Sequence, residues 1–409
     1  MEVLYPRCCG LDVHRETLVA CVRLQEQRRK RTDVRSFGTT TSEILELHRW
    51  LAENGCTHVA MESTGVFWQP VFNLLEGRFV VVLANAQHIK AVPGRKTDVK
   101  DCEWLADLLA HGLIRASFIP PPEIRALREL TRHRKSLIRD RARVLNRIHK
   151  LLETANIKLG TVVTHLDGVT GRAILKALVT GETDPVRLAA LARGSLRSKK
   201  AQLSAALQGR FGANQRFLLE QLVAQLDHGA TLITQCDARL LELAHPLASH
   251  LERLQTIAGI GRRSAEVIVS EIGVDMTRFA SAAHLASWAR VCPGTHESAG
   301  KRRPASAGLG NQWLRTALVE SAWAASRARR TYLSAQYRRI SRRRGAKRAA
   351  LAIAHRLLVI AYHIIREEVP FADLGASYFD RLNATKAKRY HLQRLTELGC
   401  DVSRVSAAS

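Results

Sequence analysis

The sequence predicts an α/β domain followed by a mainly helical region, and three observations predict it. Ahead of Pro120, short apolar runs alternate with amphipathic helical stretches; the triple proline Pro120-Pro121-Pro122 then breaks the pattern; and long helical periodicity follows. With 409 residues, 46% of them hydrophobic, the chain is long enough for two or three domains, each with its own core.

Within the first module, residues 9–13, 18–24 and 34–39 read as successive short strands separated by polar turns. Residues 44–51 place Ile44, Leu47, Trp50 and Leu51 on one helical face, with Ser42 as the cap and Asn54-Gly55 as the stop. Next come a buried strand at 58–61, a helix through Val71, Phe72, Leu74 and Leu75, and the apolar run 79–84 as a further strand. A last helix starts near Thr97. The order β-β-β-α-β-α-β-α, a meander continued as β-α-β units, fits a mixed central sheet with helices on both faces. This is the element order of the ribonuclease H-like fold.

Beyond the prolines, Leu127, Leu130, Ile138, Val144, Leu145, Ile148, Leu151 and Leu152 form an apolar stripe, and residues 123–158 carry 11 Lys+Arg against 4 Asp+Glu on the other face. A second helical stretch at 217–247 is expected to pack back on the first, as an antiparallel, coiled-coil-like arm. Residues 160–215, rich in Gly, Ala and Leu, read as a helical insertion. The expected domains are therefore 1–119 (sheet module), 120–250 (basic helical arm), 251–370 (mainly helical) and 371–409 (extension).

The 63 Lys+Arg against 37 Asp+Glu, a formal net charge of +26, argue for a polyanionic partner, with nucleic acid foremost. The charge is segregated. Residues 1–115 hold 15 cations against 14 acids, whereas 301–350 hold 14 against Glu320 alone, which suggests a near-neutral catalytic module followed by modules that grip nucleic acid. Solvation alone also explains a charged helix face. No apolar run reaches the roughly 20 residues a spanning helix needs; the longest, 351–365, is interrupted by His355 and Arg356. With no secretory pattern at the N-terminus either, a cytoplasmic, nucleoid-associated protein without a membrane partner is expected. The eight cysteines lack C-x-x-C spacing and read as reduced, mostly buried thiols.

Asp12, in Gly10-Leu11-Asp12-Val13-His14, and Glu62, in Met61-Glu62-Ser63-Thr64-Gly65, end two strands expected to be central. Ligands collect beyond strand ends in open α/β sheets, and two neighbouring carboxylates there repel unless a cation lies between them. Asp98 and Asp101 stand one turn apart at the start of the last helix. Four convergent acids suit magnesium or manganese and phosphodiester chemistry. Plainer readings exist: Asp98 and Asp101 as first-turn acids behind a Thr97 cap, Asp12 as a turn cap, Glu62 as an ion-pair partner, His14 as a turn residue.

Farther on, Ala258-Gly259-Ile260-Gly261 precedes a helix at 262–272 and resembles a helix-hairpin-helix, whose glycines let backbone amides approach a phosphate. An ordinary helix-helix turn fits equally. Glu297-Ser298-Ala299-Gly300-Lys301-Arg302-Arg303 sets a serine beside three cations that would stabilise charge on a phosphoryl group. Ser306 is similarly placed. The run Arg342, Arg343 and Arg344 is a further phosphate-binding candidate.

Taken together, the segments around Asp12, Glu62, Asp98 with Asp101, Gly259 with Gly261, and Ser298 resemble the DEDD insertion-sequence transposases of the IS110 family, across nearly the whole chain. The resemblance implies a RuvC-like ribonuclease H domain, a helical arm and a C-terminal domain that supplies a serine. It implies that Asp12, Glu62, Asp98 and Asp101 hold magnesium while Ser298 attacks the DNA phosphate. It also implies donor and target DNA as substrates, an element-encoded bridge RNA as guide, and a homo-oligomer, a dimer or tetramer, in which the two halves meet across subunits. Ala299 departs from the common Ser-Gly form and keeps Ser306 in contention. Two other functions fit the residues: a junction-resolving nuclease, which needs the acids but no serine, and a nucleic-acid-binding scaffold in which the acids are structural.

Overall fold

Both expected parts, a mixed α/β sheet and a helical region, are present in the computed structural model, which describes residues 2–26, 29–63, 65–84, 101–292, 296–298, 301–303, 310–382 and 384–400. Residues 296–298 and 301–303 are described in their backbone. The chain divides into two compact units, Met1–Ile119 and Pro120–Ser409.

Unit 1 runs β1 (Arg7–Val13), β2 (Thr17–Glu26), β3 (Arg29–Gly38), α1 (Thr41–Glu53), β4 (His58–Glu62), α2 (Trp68–Leu75), β5 (Val80–Ala84) and α3 (Asp101–Ala110). The strand order is β3-β2-β1-β4-β5. β1–β2 and β2–β3 are antiparallel, and β1–β4 and β4–β5 parallel. Side chains alternate faces along a strand, and β1 uses both: Cys9, Leu11 and Val13 join Ile44, Leu47, Leu51, Val71 and Leu75 in the core under α1 and α2, while Cys8 meets Leu109 and Ala110 of α3. β3 begins at Arg29, five residues ahead of the apolar pattern, because residues 29–32 are an exposed edge segment with no buried face to reveal it. The α1 cap is Thr40 rather than Ser42: Glu43 Oε2 accepts from the Thr40 backbone N and Oγ1 at 3.1 and 2.5 Å.

α3 is held against the sheet by close approach and by charge. A Cβ on Gly10 would lie 2.1 Å from the Cys102 carbonyl oxygen and 2.5 Å from the Ala106 nitrogen. Asp107 accepts from buried Arg23 Nε at 2.8 Å and from Lys30 Nζ at 2.7 Å.

Unit 2 opens with α4 (Pro122–Thr154), followed by the short helices α5 (Leu159–Val162), α6 (Val169–Val179), α7 (Pro185–Ala190) and α8 (Lys200–Ala206), and by the long α9 (Ala213–Leu243). α4 and α9 lie antiparallel: Arg134 pairs with Asp237 toward one end at 2.8 Å, while Ile148 and Leu152 share a core with Leu219, Val223 and Leu226 toward the other. The chain continues through α10 (Ala248–Gln255), α11 (Arg262–Ile272), α12 (Ala282–Trp288), β6 (His296–Ser298), β7 (Lys301–Arg303), α13 (Gln312–Arg327), α14 (Tyr332–Arg344), α15 (Ala346–Glu367), α16 (Tyr378–Leu382) and α17 (Ala384–Glu397). By length and composition α15 could cross a membrane, but Ile353, Leu357, Leu358, Ala361 and Ile365 are buried inside unit 2, against α13 and α14 among others.

A buried carboxylate ties these helices together. Glu271 of α11 has no solvent exposure. Arg132 of α4 grips it through two bonds of 2.7 and 2.9 Å, Arg128 Nε lies 3.3 Å away, and Asn311 Nδ2 donates to it at 2.7 Å. Arg128 also donates to the backbone carbonyls of Ser270 and Glu271 at 3.1 and 2.7 Å, which satisfies carbonyls that the end of α11 leaves without helical partners. Burial pulls the Arg128 guanidinium down to about 10 against the opposing pull of Glu271, so it stays charged at neutral pH. Removing one member strands the others as unpaired buried charge. Glu271→Ala should therefore cost about 3–5 kcal/mol in urea unfolding, and a loss under about 1 kcal/mol, the range of a surface pair, would show that the clamp does not hold the unit.

Candidate active site and nucleic-acid interface

β1 and β4 are paired from Cys8↔His58 to Leu11↔Met61, so the next step of the register sets Asp12 level with Glu62, the last residue of β4. Glu62 in turn pairs with Ala84 at the end of β5. The period of two places Asp12 on the same face as Cys8 and Gly10, and Glu62 on the same face as Ala60. That is the face covered by α3. α3 runs opposite to β1: its last carbonyl, Ala110 O, accepts from Leu4 N and Tyr5 N at 2.8 and 3.1 Å, so its first residue, Asp101, falls at the sheet end that carries Asp12 and Glu62. Burial pushes the Cys102 thiol up, and the Asp12 charge adds to the push. His14 Nε2 stands 3.2 Å from Asp12 Oδ2, and the Asp12 side chain is 32% exposed. This carboxylate is open to a ligand from solvent.

Three of the four predicted acids thus lie at one end of one sheet face, while Asp98 and Thr97 lie outside the described residues. Among the described residues no three His, Cys, Asp or Glu side chains gather where a metal ion could bind. The thiols of unit 1 offer no alternative chemistry. Cys8, Cys9, Cys21, Cys56 and Cys102 are free and buried, and burial raises Cys8 to about 11 and both Cys21 and Cys56 to about 12, which keeps them protonated and unreactive.

In unit 2, β6 and β7 pair antiparallel, Ser298↔Lys301, Glu297↔Arg302 and His296↔Arg303. Gly310, which follows these strands in sequence, lies against Arg290, which precedes them. Gly310 has φ +47°, and a Cβ there would lie 2.4 Å from Arg290 Cβ and 2.9 Å from the Ala289 oxygen. Asn311 then caps α13, its Oδ1 accepting from Trp313 N and Leu314 N at 3.1 Å each, while its Nδ2 reaches Glu271. The clamp therefore also holds Asn311, the residue that follows Gly310. Sequence reasoning missed this link, although Glu266 and Glu271 inside the mostly apolar segment from Ala265 to Ile272 were its visible trace. Ser306 lies outside the described residues.

The two candidate glycines differ. Gly259, at φ +95°, would put a Cβ 2.5 Å from Ser321 O and 2.6 Å from Ala325 N, so packing against α13 requires glycine there. Gly261 faces open space at the start of α11. The cations also divide. Arg128, Arg132 and Arg134 of α4 are bound to Glu271, Glu266 and Asp237. Arg342, Arg343 and Arg344, with Lys347 and Arg348 beyond Gly345, are exposed, and among the described residues none of these five meets a carboxylate.

Comparison with known proteins gives two family matches. The DEDD-type IS110 transposase model matches residues 9–157, and the transposase IS116/IS110/IS902 family model matches residues 251–338; together they cover more than half of the chain. The pilin gene-inverting protein of Moraxella bovis is 33% identical over 152 residues, 36% of this chain and 45% of that protein. A 43.6 kDa protein of insertion element IS110 from Streptomyces coelicolor is 34% identical over 157 residues, 37% of this chain and 36% of its own length. A 44.8 kDa protein of insertion element IS116 from Streptomyces clavuligerus is 38% identical over 89 residues, 18% of this chain and 22% of its own length. The chain spans less than half the length of each of these relatives.

The closeness of α3 to β1 sets where Asp101 stands, so it is testable at Gly10. Gly10→Ala should push α3 away from the strand and cost about 1–3 kcal/mol in urea unfolding. Gly229→Ala, in the middle of α9 with nothing within 4 Å, should be neutral or stabilising. Equal stability of Gly10→Ala and the parent would show that the contact is slack.

Proposed function

We propose that this chain, which belongs to the IS110 family of transposases, cuts and rejoins DNA with carboxylates at the end of its sheet and with Ser298 as nucleophile. The observation that carries the reading is the level placement of Asp12 and Glu62 on the face covered by a helix that begins at Asp101, inside the segment matched by the DEDD transposase model. The strand order, an antiparallel meander continued by two parallel strands, supports assigning unit 1 to the RuvC-like branch of the ribonuclease H-like fold.

Asp12, Glu62 and Asp101, with Asp98 as the fourth donor, would hold a divalent cation; a set of carboxylate oxygens alone fits magnesium or manganese. Such an ion would neutralise charge on the phosphodiester and its leaving oxygen. Ser298 Oγ forms a bond to phosphorus while the bond to the departing DNA hydroxyl breaks, and that hydroxyl leaves with the proton the serine gives up. The phosphodiester is conserved as a serine diester, and attack by a DNA hydroxyl reverses the step and rejoins the strand. Lys301, Arg302 and Arg303 would stabilise the charge on the transferring phosphoryl group. The name of the Moraxella relative, a gene-inverting protein, favours rejoining over hydrolysis, because an inverted segment ends joined at both sides. Arg342, Arg343 and Arg344, Gly261 and the β6–β7 cations would contact phosphate. The guide in this reading is an element-encoded bridge RNA that pairs with donor and target DNA, and a homo-oligomer, dimer or tetramer, brings the two halves together across subunits.

Two experiments test the reading. Asp12→Asn, Glu62→Gln or removal of divalent metal should abolish strand exchange while nucleic-acid binding persists. The serine is then tested by trapping the reaction on a nicked substrate. DNA should be covalently attached to the peptide containing Ser298, and Ser298→Ala should lose both adduct and rejoining while Ser306→Ala keeps them. Cleavage by the Ser298→Ala protein to free ends would instead identify a hydrolytic nuclease.

The electrostatic part has its own measurement. Affinity for duplex DNA should fall with salt, log K losing about 0.9 per log unit of salt for each phosphate contact, and charge reversal at Arg342, Arg343 and Arg344 should flatten that slope. An unchanged slope would make the cluster a solvated surface.

A further inference from the structure

Trp313, half-buried near the start of α13, is faced by two guanidinium groups of α4: Arg139 at 4.9 Å and Arg132 at 5.8 Å from the ring centre. Arg132 is committed to Glu271. Arg139 is exposed, and among the described residues it meets no carboxylate. Beside the indole, between α4, α11 and α13, lies a cavity of about 210 Å³ whose walls include Ile138, Val267 and Ala317. Lys135 and Glu320, 2.7 Å apart, stand at the same cavity and offer one donor and one acceptor.

These features have the chemistry of a site for one planar ring. Indole faces bind flat cations and nucleobases alike, and an aromatic platform beside a free cation is how single strands are gripped without reading sequence. The volume is below the roughly 300–1,000 Å³ typical of sites for drug-sized ligands, which leaves room for a single ring system. A paired base has both faces covered by its neighbours in the stack and cannot enter. We propose that Trp313 and the cavity beside it hold one unpaired nucleobase, with Arg139 moving from the ring to the adjoining phosphate. The site lies two residues beyond Asn311, which accepts from the Trp313 backbone N–H and donates to Glu271, so the platform stands on the same clamp that holds α4 and α11. The inference rests on the nucleic-acid-binding part of the proposed function and not on its cleavage chemistry. An unpaired base of DNA and one of RNA offer the same chemistry, and the experiment separates them.

The full-length Asp12→Asn protein is mixed with a single-stranded DNA carrying 5-iododeoxyuridine, with an RNA of the same sequence carrying 5-iodouridine, and with the blunt DNA duplex. After irradiation, the single-stranded arms should cross-link to the peptide containing Trp313, and whichever arm gives the stronger yield names the source. Trp313→Ala should weaken single-strand binding roughly 10- to 100-fold and leave duplex binding unchanged; Trp313→Phe should keep most of the affinity. Arg139→Gln should reduce the single-strand salt slope by about 0.7. Cross-links confined to other peptides, or unchanged affinity in Trp313→Ala for both single strands, would overturn the proposal. So would an equal loss on duplex. Because binding alone is read, failure here leaves the strand-exchange and adduct tests standing, and the cross-linking needs no change at Trp313.

Discussion

Unit 2 is organised around a carboxylate that water cannot reach. Glu271, with no exposed surface, is tolerable as a charge only because Arg132 meets it with a parallel pair of bonds, Arg128 lies beside it and Asn311 fills a remaining acceptor position. Each partner belongs to a different part of the chain's path. Arg128 and Arg132 sit on α4, Glu271 ends α11, and Asn311 begins α13. Satisfying one buried charge therefore fixes three helices at once. Glu266 repeats the logic one turn and a half earlier, between Arg134 and Arg262.

Unit 1 reaches a similar end by steric means. β1 carries glycine where α3 lies against it, and the absent side chain lets the helix backbone come within a distance no Cβ would allow. The direction of α3 then follows from its ends, with Ala110 tied to the start of the chain and Asp101 left at the opposite edge. Asp107, held by Arg23 and Lys30, fixes the helix along its length. The acids are positioned by strand register and by this one contact, and each is a local feature of a central strand or of a helix start.

The parts legible in the sequence were those with a period. β1, β2 and β4 have one or both faces buried, so alternating or continuous apolar residues announce them; α1 shows its stripe of Ile44, Leu47, Trp50 and Leu51. Asp12 and Glu62 stood out because each breaks an apolar run at its end. The first half of β3 was hidden because an exposed edge strand carries no apolar signal, and the true cap of α1 depends on which hydroxyl Glu43 reaches. Register and face are long-range facts: nothing local says that Asp12 lies level with Glu62. The clamp was invisible for the same reason. Arg132 and Glu271 are 139 residues apart, and an arginine on a basic helix face looks the same whether its partner is a phosphate, water or a buried glutamate.

That ambiguity changes what the net charge of +26 means. A count treats every cation as available to a polyanion, yet on α4 the guanidinium groups of Arg128, Arg132 and Arg134 are occupied by carboxylates of α9 and α11. Pulling them away to reach a phosphate would expose Glu271 and Glu266 as unpaired buried charges, a cost larger than one phosphate contact returns. The cations that a nucleic acid can recruit without such a cost are those already in water. Among the described residues these include Arg139 and the cluster from Arg342 to Arg348 that flanks Gly345. On α4 the footprint suggested by composition therefore narrows to the cations outside the clamp. The arm's basic face serves chiefly to hold α4 in place, and its availability to a polyanion rises only beyond the clamp, where Arg139 lies over Trp313.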